Sequence, residues 1–318
     1  MAPLVLFGTL VTHLFGGSAG REGTAVQMGG AIADQFTHWF KLDNVDRQII
    51  IIMGISAGFA SVFGTPIAGA IFALEVMVIG KLRYNALLPA FITAYIADYS
   101  CTIWKVSHTR YSIPNVPAIT PINVAYTIGV AVLFGLAALL FSRLVHFFSD
   151  FFKKIAYPPL RPFTGGLCLA IAIYFMGITK YIGLGVPKIV ESFTVAQPPY
   201  AFLLKILLTT FTLGAGFKGG EVTPLFFVGA TLGSALFLIV PLPMALLAGM
   251  GFVAVFSGAT NTPIACTLMG IELFGLDCGL YIAIACIVAY FVSGNKGIYS
   301  SQVIGGAKGY VYSRFARK

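Results

Sequence analysis

The chain of 318 residues is strongly apolar, since 58% of its residues are hydrophobic, 10% are charged and its mean hydropathy is +0.90. An ordinary soluble domain carries about a quarter charged residues, because polar atoms must cover its surface. With 20 basic and 11 acidic residues, this chain cannot cover itself in that way. The composition therefore excludes an ordinary soluble domain and predicts a multi-span membrane protein.

The net charge of +9 is distributed over short segments between apolar runs. Because cytoplasmic loops are enriched in Lys and Arg, we expect these segments and the C-terminus to face the cytoplasm, with the chain in the cell membrane. The cations form no contiguous stripe, which argues against a nucleic-acid partner. They fall into three groups: Lys81 with Arg83, Lys153 with Lys154 and Arg161, and Arg314 with Arg317 and Lys318.

The predicted membrane elements are short and are interrupted by Gly and Pro. Residues 1–16 are apolar but lack a basic segment and a cleavage site, which favours a span over a signal peptide. Many runs are shorter than the ~20 residues of a straight crossing, as expected of helices that break inside the membrane around a polar site. The further runs lie at about 49–63, 66–79, 86–104, 122–148, 163–178, 201–217, 224–240, 244–256, 263–274 and 280–293.

A duplicated pattern supports a transport pathway. The hexapeptide that starts at Gly58 is followed by Thr65-Pro66-Ile67-Ala68 and Glu75, and a similar one that starts at Gly251 is followed by Thr262-Pro263-Ile264-Ala265 and Glu272. A Gly-rich turn with a glutamate precedes each copy. Matching broken helices on either side of a midplane site are typical of secondary transporters. The two turns read Gly20-Arg21-Glu22-Gly23-Thr24 and Gly219-Gly220-Glu221-Val222-Thr223-Pro224.

Glu22 is the first candidate functional residue, because an acid between glycines at the start of an apolar stretch is expected at a helix N-terminus. Free N–H groups and the helix dipole make such a place an anion site. An ionised carboxylate can occupy that site and a protonated one can leave it, which links proton binding to anion access. The alternative is an acid that only stabilises the first turn of its helix.

Glu221 repeats this logic in the second turn, where Gly219 and Gly220 allow close backbone approach and Pro224 can begin a helix. An ionisable residue in a membrane turn favours a functional role. Thr223 offers a hydroxyl donor or, alternatively, only a helix cap. Tyr299 offers a phenolic donor or an interface anchor.

Glu75 and Glu272 occupy equivalent positions near the ends of their helices, where bonding to a neighbouring loop explains them. Two serine-elbow patterns, around Ser18 and Ser56, follow no convincing strand, and no His and Asp complete a triad, so an enzyme is not predicted. The five cysteines and four histidines show no metal-ligand spacing, and no cofactor fingerprint is present.

The two Gly-rich turns and the paired Pro66 and Pro263 segments resemble the CLC family of anion channels and anion/proton antiporters, over about residues 5–305. The resemblance implies an all-α fold of two inverted repeats, here residues 1–115 and 116–305, followed by a basic tail at 306–318 without a regulatory domain. It also implies a homodimer with one pathway in each subunit and makes Glu22 the gating glutamate. The family's first helices, with their Gly-rich anion-binding loop, are expected to precede residue 1.

Two positions resemble the fluoride/proton antiporter branch: Thr24 stands where a Pro is usual, and Glu221-Val222-Thr223 replaces a mostly apolar segment. Val76 stands where similar chloride/proton antiporters carry a proton-relaying acid, so proton traffic would rely on Glu22, with Glu221. Tyr299 matches the family's anion-facing tyrosine. The anion pathway is thus predicted to include Gly20, Arg21, Gly23, Gly220, Glu221, Val222, Thr223 and Tyr299.

Fluoride is small and tightly hydrated, so its site needs concentrated donors such as hydroxyls, backbone N–H groups and a protonated carboxyl. The sequence therefore predicts fluoride export coupled to proton import. Three alternatives remain open. They are a chloride transporter or passive channel on the same scaffold, a non-transporting fragment that dimerises with a relative, and a membrane-embedded serine hydrolase.

Overall fold

The structure is a computed structural model that describes residues 1–305 and residue 308. It is built from helices, with one short pair of strands within the described residues. The helices are α1 (Ala2–Leu14), α2 (Glu22–Phe40), α3 (Asn44–Phe63), α4 (Pro66–Glu75), α5 (Leu87–Ile103), α6 (Pro121–Lys153), α7 (Leu160–Met176), α8 (Val186–Glu191), α9 (Ala201–Gly214), α10 (Val222–Leu236), α11 (Met244–Thr260), α12 (Pro263–Phe274) and α13 (Gly279–Val292), and the strands are β1 (Val78–Ile79) and β2 (Val303–Ile304).

Three helical stretches of the described chain are long and apolar enough to cross a membrane: Asn44–Phe63, Tyr84–Ile103 and Pro121–Lys153. The other apolar helices have 10 to 17 residues. Such helices are too short for a straight crossing, and their ends must therefore lie within the protein rather than in lipid. The prediction of an all-α membrane fold with broken helices is confirmed.

The breaks follow local chemistry. Gly64 follows α3 and Asn261 follows α11 as C-cap residues, and both adopt a left-handed conformation, with φ of 65° and 60°. In each case one residue intervenes and a proline then begins the next helix, Pro66 in α4 and Pro263 in α12. A proline is well tolerated there because the first helical N–H has no intrahelical partner.

The second Gly-rich turn differs from the prediction in one detail. α10 begins at Val222, and Pro224 is its third residue rather than its first. The N–H groups of the first turn have no intrahelical acceptor, so proline is accommodated at this position as well.

Two equivalent helix pairs cross through glycines. A Cβ on Gly29 of α2 would lie 2.2 Å from the Gly54 carbonyl oxygen of α3, and a Cβ on Gly229 of α10 would lie 1.9 Å from the Gly251 carbonyl oxygen of α11. Only residues without a Cβ allow such approach, which is a common means of association between helices in membranes. The same kind of glycine contact thus occurs in both halves of the chain.

The core between the two halves is aromatic. Phe59 stacks on Phe72 with ring centroids 4.6 Å apart, and Phe256 lies against Phe72 at 5.8 Å. Phe226 stacks on Phe252 at 3.9 Å. Because Phe59 and Phe72 belong to α3 and α4 while Phe256 belongs to α11, this cluster packs one half of the molecule against the other.

β1 and β2 form a two-stranded parallel pair, with Val78 opposite Val303 and Ile79 opposite Ile304. The pair places the segment of Lys81 and Arg83 beside the last described part of the chain. The Arg83 guanidinium also donates to Gln48, close to the start of α3. The predicted group Arg314, Arg317 and Lys318 lies outside the described residues.

Candidate functional site

The two Gly-rich turns meet in the structure. The Gly20 N–H donates to the Gly220 carbonyl over 2.6 Å, and the Gly220 N–H donates to the Gly20 carbonyl over 2.7 Å. A Cβ on Gly20 would lie 2.7 Å from Thr223 Oγ1, and one on Gly220 would lie 2.7 Å from the Gly23 nitrogen. Glycine is therefore required at both positions, and the two turns form one antiparallel bridge between the halves of the chain.

Glu22 is the first residue of α2, as predicted, and its residue surface is only 7% exposed. Its Oε2 accepts a hydrogen bond from the Arg21 N–H at 3.1 Å. The Arg21 side chain is 71% exposed, and its Nε lies 3.8 Å from Glu22 Oε1. Both residues line a cavity of about 720 Å³, the Glu22 cavity, which Thr24 and Tyr111 also line.

Glu221 and Thr223 bring polar atoms to the start of α10. Glu221 stands at the N-cap position of this helix without a side-chain capping hydrogen bond, and Val222 and Thr223 are buried in its first turn. Glu221 Oε2 and Thr223 Oγ1 are both buried without a hydrogen-bond partner among the described residues. Since leaving a buried polar atom unpaired costs about 1–3 kcal/mol, such atoms in a native structure indicate a ligand or water site.

Gly23 lies between Glu221 and a second cavity. A Cβ on Gly23 would lie 3.7 Å from Glu221 Oε2, and Gly23 itself lines a cavity of about 390 Å³, here called the Tyr299 cavity. Tyr299 and Gln302 line it as well. Tyr299 also borders a neighbouring cavity of about 690 Å³, which Arg143, His146 and Lys296 line.

The polar atoms of the two turns thus lie between two cavities. Thr223 lines the Glu22 cavity, whereas Gly23 and Tyr299 line the Tyr299 cavity. Of the predicted pathway residues, Arg21 also lines the Glu22 cavity, whereas Gly20, Gly220, Glu221 and Val222 belong to the two turns and line neither cavity. The arrangement offers hydroxyl groups, carboxyl groups and the N-termini of α2 and α10 to a small anion.

Sequence reasoning missed several buried polar contacts around the turns. Thr24 Oγ1 lies 3.0 Å from Thr9 Oγ1 on α1, and Ser18 Oγ lies 2.9 Å from Thr209 Oγ1 on α9. Isolated threonines in apolar helices gave no pattern that would pair them. Within residues 1–305, no three His, Cys, Asp or Glu side chains gather to hold a metal ion.

Lys205 was also missed, although its place in the apolar run 201–217 was a signal. It is fully buried on α9, and its Nζ donates to the Tyr181 carbonyl over 3.1 Å and to the Gly183 carbonyl over 2.6 Å. The nitrogen also lies 5.1 Å from the centroid of the Phe227 ring. Lys205 therefore fixes the segment of Tyr181 and Gly183. Leu184 and Val186, which follow this segment, line the Glu22 cavity.

Glu75 and Glu272 make structural contacts, but not with a neighbouring loop. Each accepts hydrogen bonds from backbone N–H groups at the start of a helix in the other half, Glu75 at α12 and Glu272 at α4. The expected bonding to a neighbouring loop is therefore wrong. The N–H groups that follow the first proline of each helix have no acceptor within the helix, so they are available to a carboxylate from the other half.

The hydroxyls of both serine-elbow candidates are engaged in other hydrogen bonds. The Ser18 hydroxyl pairs with Thr209, and the Ser56 hydroxyl donates to the Ala90 carbonyl over 2.8 Å. Both serines are buried. Neither hydroxyl contacts a histidine in the described chain, so the Ser-His pair of the elbow pattern is not formed there.

Residues 1–294 match the sequence profile of the family described as the voltage gated chloride channel, known as CLC. The chain belongs to the CLC family. A relative in Pseudomonas syringae pv. tomato, named chloride/fluoride channel protein, is 53% identical to this CLC chain over 97% of the chain and 70% of the relative. The H⁺/Cl⁻ exchange transporter ClcA of Cronobacter sakazakii is 30% identical over 73% of the chain and 52% of that protein.

Solved structures show the same fold. The crystal structure of a CLC-type fluoride/proton antiporter matches with a TM-score of 0.91 and 38% identity, over 95% of this CLC chain and 77% of that one. A slow cyanobacterial Cl⁻/H⁺ antiporter matches with a TM-score of 0.78 and 23% identity, over 100% and 76% of the two chains. These relatives are transporters and channels, and the polytopic membrane fold of the family is confirmed.

Proposed function

We propose that this CLC protein exports fluoride from the cell in exchange for protons. The single observation that carries the proposal is the buried pair of unpartnered oxygens, Glu221 Oε2 and Thr223 Oγ1, between two cavities and beside Glu22. A hydroxyl and a protonated carboxyl are compact, strong donors to a small anion. They are the groups that can replace the tight water shell of fluoride.

Glu22 is the gate in this mechanism. When ionised, its carboxylate competes with the anion for the N-terminus of α2; when protonated, it loses that electrostatic attraction and the anion enters. The ionised carboxylate and the anion therefore occupy the region in turn, and anion entry requires a proton on Glu22, which couples the two movements. Glu221, on the path from Gly23 to Thr223, exchanges its own proton as fluoride passes.

The remaining pathway residues act around these two acids. Gly20, Gly23 and Gly220 bring the backbone close to the anion, Val222 fixes the first turn of α10, and Arg21 adds positive charge at the Glu22 cavity. Tyr299 donates its hydroxyl to anions that approach from the opposite cavity. The names of the Pseudomonas relative and of the fluoride/proton antiporter structure support fluoride as the substrate.

We further propose that Tyr299 and the basic segments lie on the cytoplasmic side of the cell membrane. The β1–β2 pair brings the segment of Lys81 and Arg83 beside residues 303–305, which follow Tyr299, and cytoplasmic loops are enriched in Lys and Arg. Residues 1–115 and 116–305 are the two repeats in this proposal. The chain is a homodimer, and light scattering in detergent should give twice the mass of one chain.

The second candidate is a chloride transporter or channel. Both the name of the Pseudomonas relative and the ClcA match favour it. Proton coupling and anion preference separate the two candidates, and both can be measured on one preparation.

The test is efflux from proteoliposomes, followed with fluoride and chloride electrodes and an internal pH dye. We expect fluoride efflux to drive proton uptake, with chloride flux lower by about tenfold or more, a difference of about 1.4 kcal/mol. Glu22→Gln should remove proton uptake, because the amide cannot take up a proton. Chloride flux equal to fluoride flux, or fluoride flux with proton uptake unchanged in Glu22→Gln, would refute the proposal.

A further inference from the structure

Two carboxylates bind the halves of the molecule to each other in a reciprocal way. Glu75, near the end of α4, accepts from the Ile264 N–H at 3.2 Å and from the Ala265 N–H at 2.9 Å. Glu272, near the end of α12, accepts through its two oxygens at 3.0 and 2.8 Å. Its donors are the N–H groups of Ile67 and Ala68.

The segment just before the helix start held by Glu272 borders the Glu22 cavity. Two residues separate Phe63 from the start of α4, and Ser61, Val62 and Phe63 all line that cavity. Leu273, the residue after Glu272, lines it as well. The hydrogen bonds of Glu272 therefore join two segments of the same wall.

The end of α4 that carries Glu75 borders the opposite cavity. Val76, the residue after Glu75, lines the Tyr299 cavity, and its carbonyl accepts from Gln302 Nε2 at 2.9 Å. Gln302 Oε1 in turn accepts from Asn261 Nδ2 at 3.3 Å, in the turn that precedes α12. A closed ring of contacts thus runs from Glu75 through α12 and Gln302 back to Val76, and it fixes the segment that carries Tyr299.

We propose that Glu75 and Glu272 are positioning residues, each of which sets the geometry of one mouth of the pathway. Glu75 sets the mouth beside Tyr299, and Glu272 sets the mouth beside Glu22. Each carboxylate accepts two N–H groups at a helix start in a medium of low dielectric, where charge-assisted hydrogen bonds are strong. Because the two halves share the same sequence pattern, the same contact between a carboxylate and a helix start occurs at both mouths of the pathway.

Replacement by glutamine tests this assignment with little change in shape. A glutamine accepts through one oxygen and turns its NH₂ group towards the second N–H, so one hydrogen bond is lost. Glu75→Gln and Glu272→Gln are matched controls for each other, since both remove the same bond from equivalent places. Glu75→Asp and Glu272→Asp keep the charge but shorten the side chain, and they replace the glutamine variants if these do not purify as a single species.

The first measurement does not depend on transport. Single cysteines replace Ser301, which lines the Tyr299 cavity, or Ser107, which lines the Glu22 cavity, in a background where Cys101 and Cys168 are serine. We expect Glu75→Gln to change the rate of thiol labelling at position 301 by about threefold or more and to leave position 107 unchanged. Glu272→Gln should do the reverse. Equal changes at both positions, or none, would overturn the proposal.

The second measurement rests on the proposed anion transport. In inside-out and right-side-out vesicles, Glu75→Gln should raise the fluoride concentration for half-maximal flux about threefold from the Tyr299 side only, and Glu272→Gln from the Glu22 side only. A purely structural role would lower the amount of folded protein and affect both sides alike. If the unaltered chain moves no anion, the proposed function fails, while the labelling rates still decide the positioning role.

Discussion

At the scale of single residues, Thr223 gives the sharpest prediction, because its buried hydroxyl has no partner among the described residues. Thr223→Val keeps the shape and removes the donor, so we expect fluoride flux to fall about tenfold. Flux from proteoliposomes is the measurement. Thr223→Ser should retain most of the activity.

A second control lies on the same helix. The Thr231 hydroxyl donates to the Phe227 carbonyl over 2.8 Å and lines neither cavity. Thr231→Val should therefore leave fluoride flux within about twofold of the unaltered protein. Equal losses of flux in Thr231→Val and Thr223→Val would show that any buried threonine of α10 matters and that Thr223 has no special role.

Lys205 gives a prediction about stability. Lys205→Met fills a similar volume but leaves the Tyr181 and Gly183 carbonyls without their donor. We expect a loss of about 1–3 kcal/mol, seen as a lower unfolding temperature in detergent. Lys188→Met, which removes only the partly exposed ion pair with Glu191, should change stability by about 1 kcal/mol or less. A larger effect at Lys188 would contradict this account.

The sequence revealed the acids of the site but not their polar surroundings. Glu22 and Glu221 could be predicted because an acid in a Gly-rich membrane turn is costly and therefore informative. The pairing of Thr9 with Thr24 could not be predicted, because threonine occurs widely in helices and its partner is fixed only by tertiary packing. The sequence also gave no sign that Glu75 would reach a helix of the other half.

At the scale of helices, the glycine crossings decide how closely the elements pack. Gly229→Ala should disrupt the contact of α10 with α11, because its Cβ would lie 1.9 Å from the Gly251 carbonyl oxygen. Overpacking of this kind costs about 1–3 kcal/mol, so the yield of folded protein and its unfolding temperature should both fall. Gly129→Ala in α6 meets nothing within 4 Å and should be neutral or slightly stabilising. Equal behaviour of the two variants would contradict the packing argument.

Most helices could be located from apolar runs bounded by Gly and Pro, as the runs at 201–217, 244–256 and 263–274 show. Helix α2 extends to Phe40, and its end could not be located from an apolar run because Asp34 and His38 interrupt the apolar pattern of its second half. Strands β1 and β2 have two residues each, which is too short for any periodic signal. Their pairing depends on contacts between residues more than 200 positions apart.

At the scale of the whole molecule, the arrangement of basic segments predicts which residues face the cytoplasm. A cysteine at Lys81 should react with a membrane-impermeant thiol reagent only in inside-out vesicles. A cysteine at Arg110, which is next to Tyr111 of the Glu22 cavity, should react only in intact cells. Both positions are exposed, so access to the reagent depends on the membrane side alone. Labelling of both cysteines from one side would refute the proposed orientation.

The bridge between Gly20 and Gly220 restricts the kind of motion that transport can use. Many transporters alternate by rocking one repeat against the other. Here such rocking would break the two peptide hydrogen bonds that join the buried turns. In the proposed mechanism, exchange of ions therefore proceeds through rotation of the Glu22 and Glu221 side chains while the Gly20–Gly220 bridge stays intact.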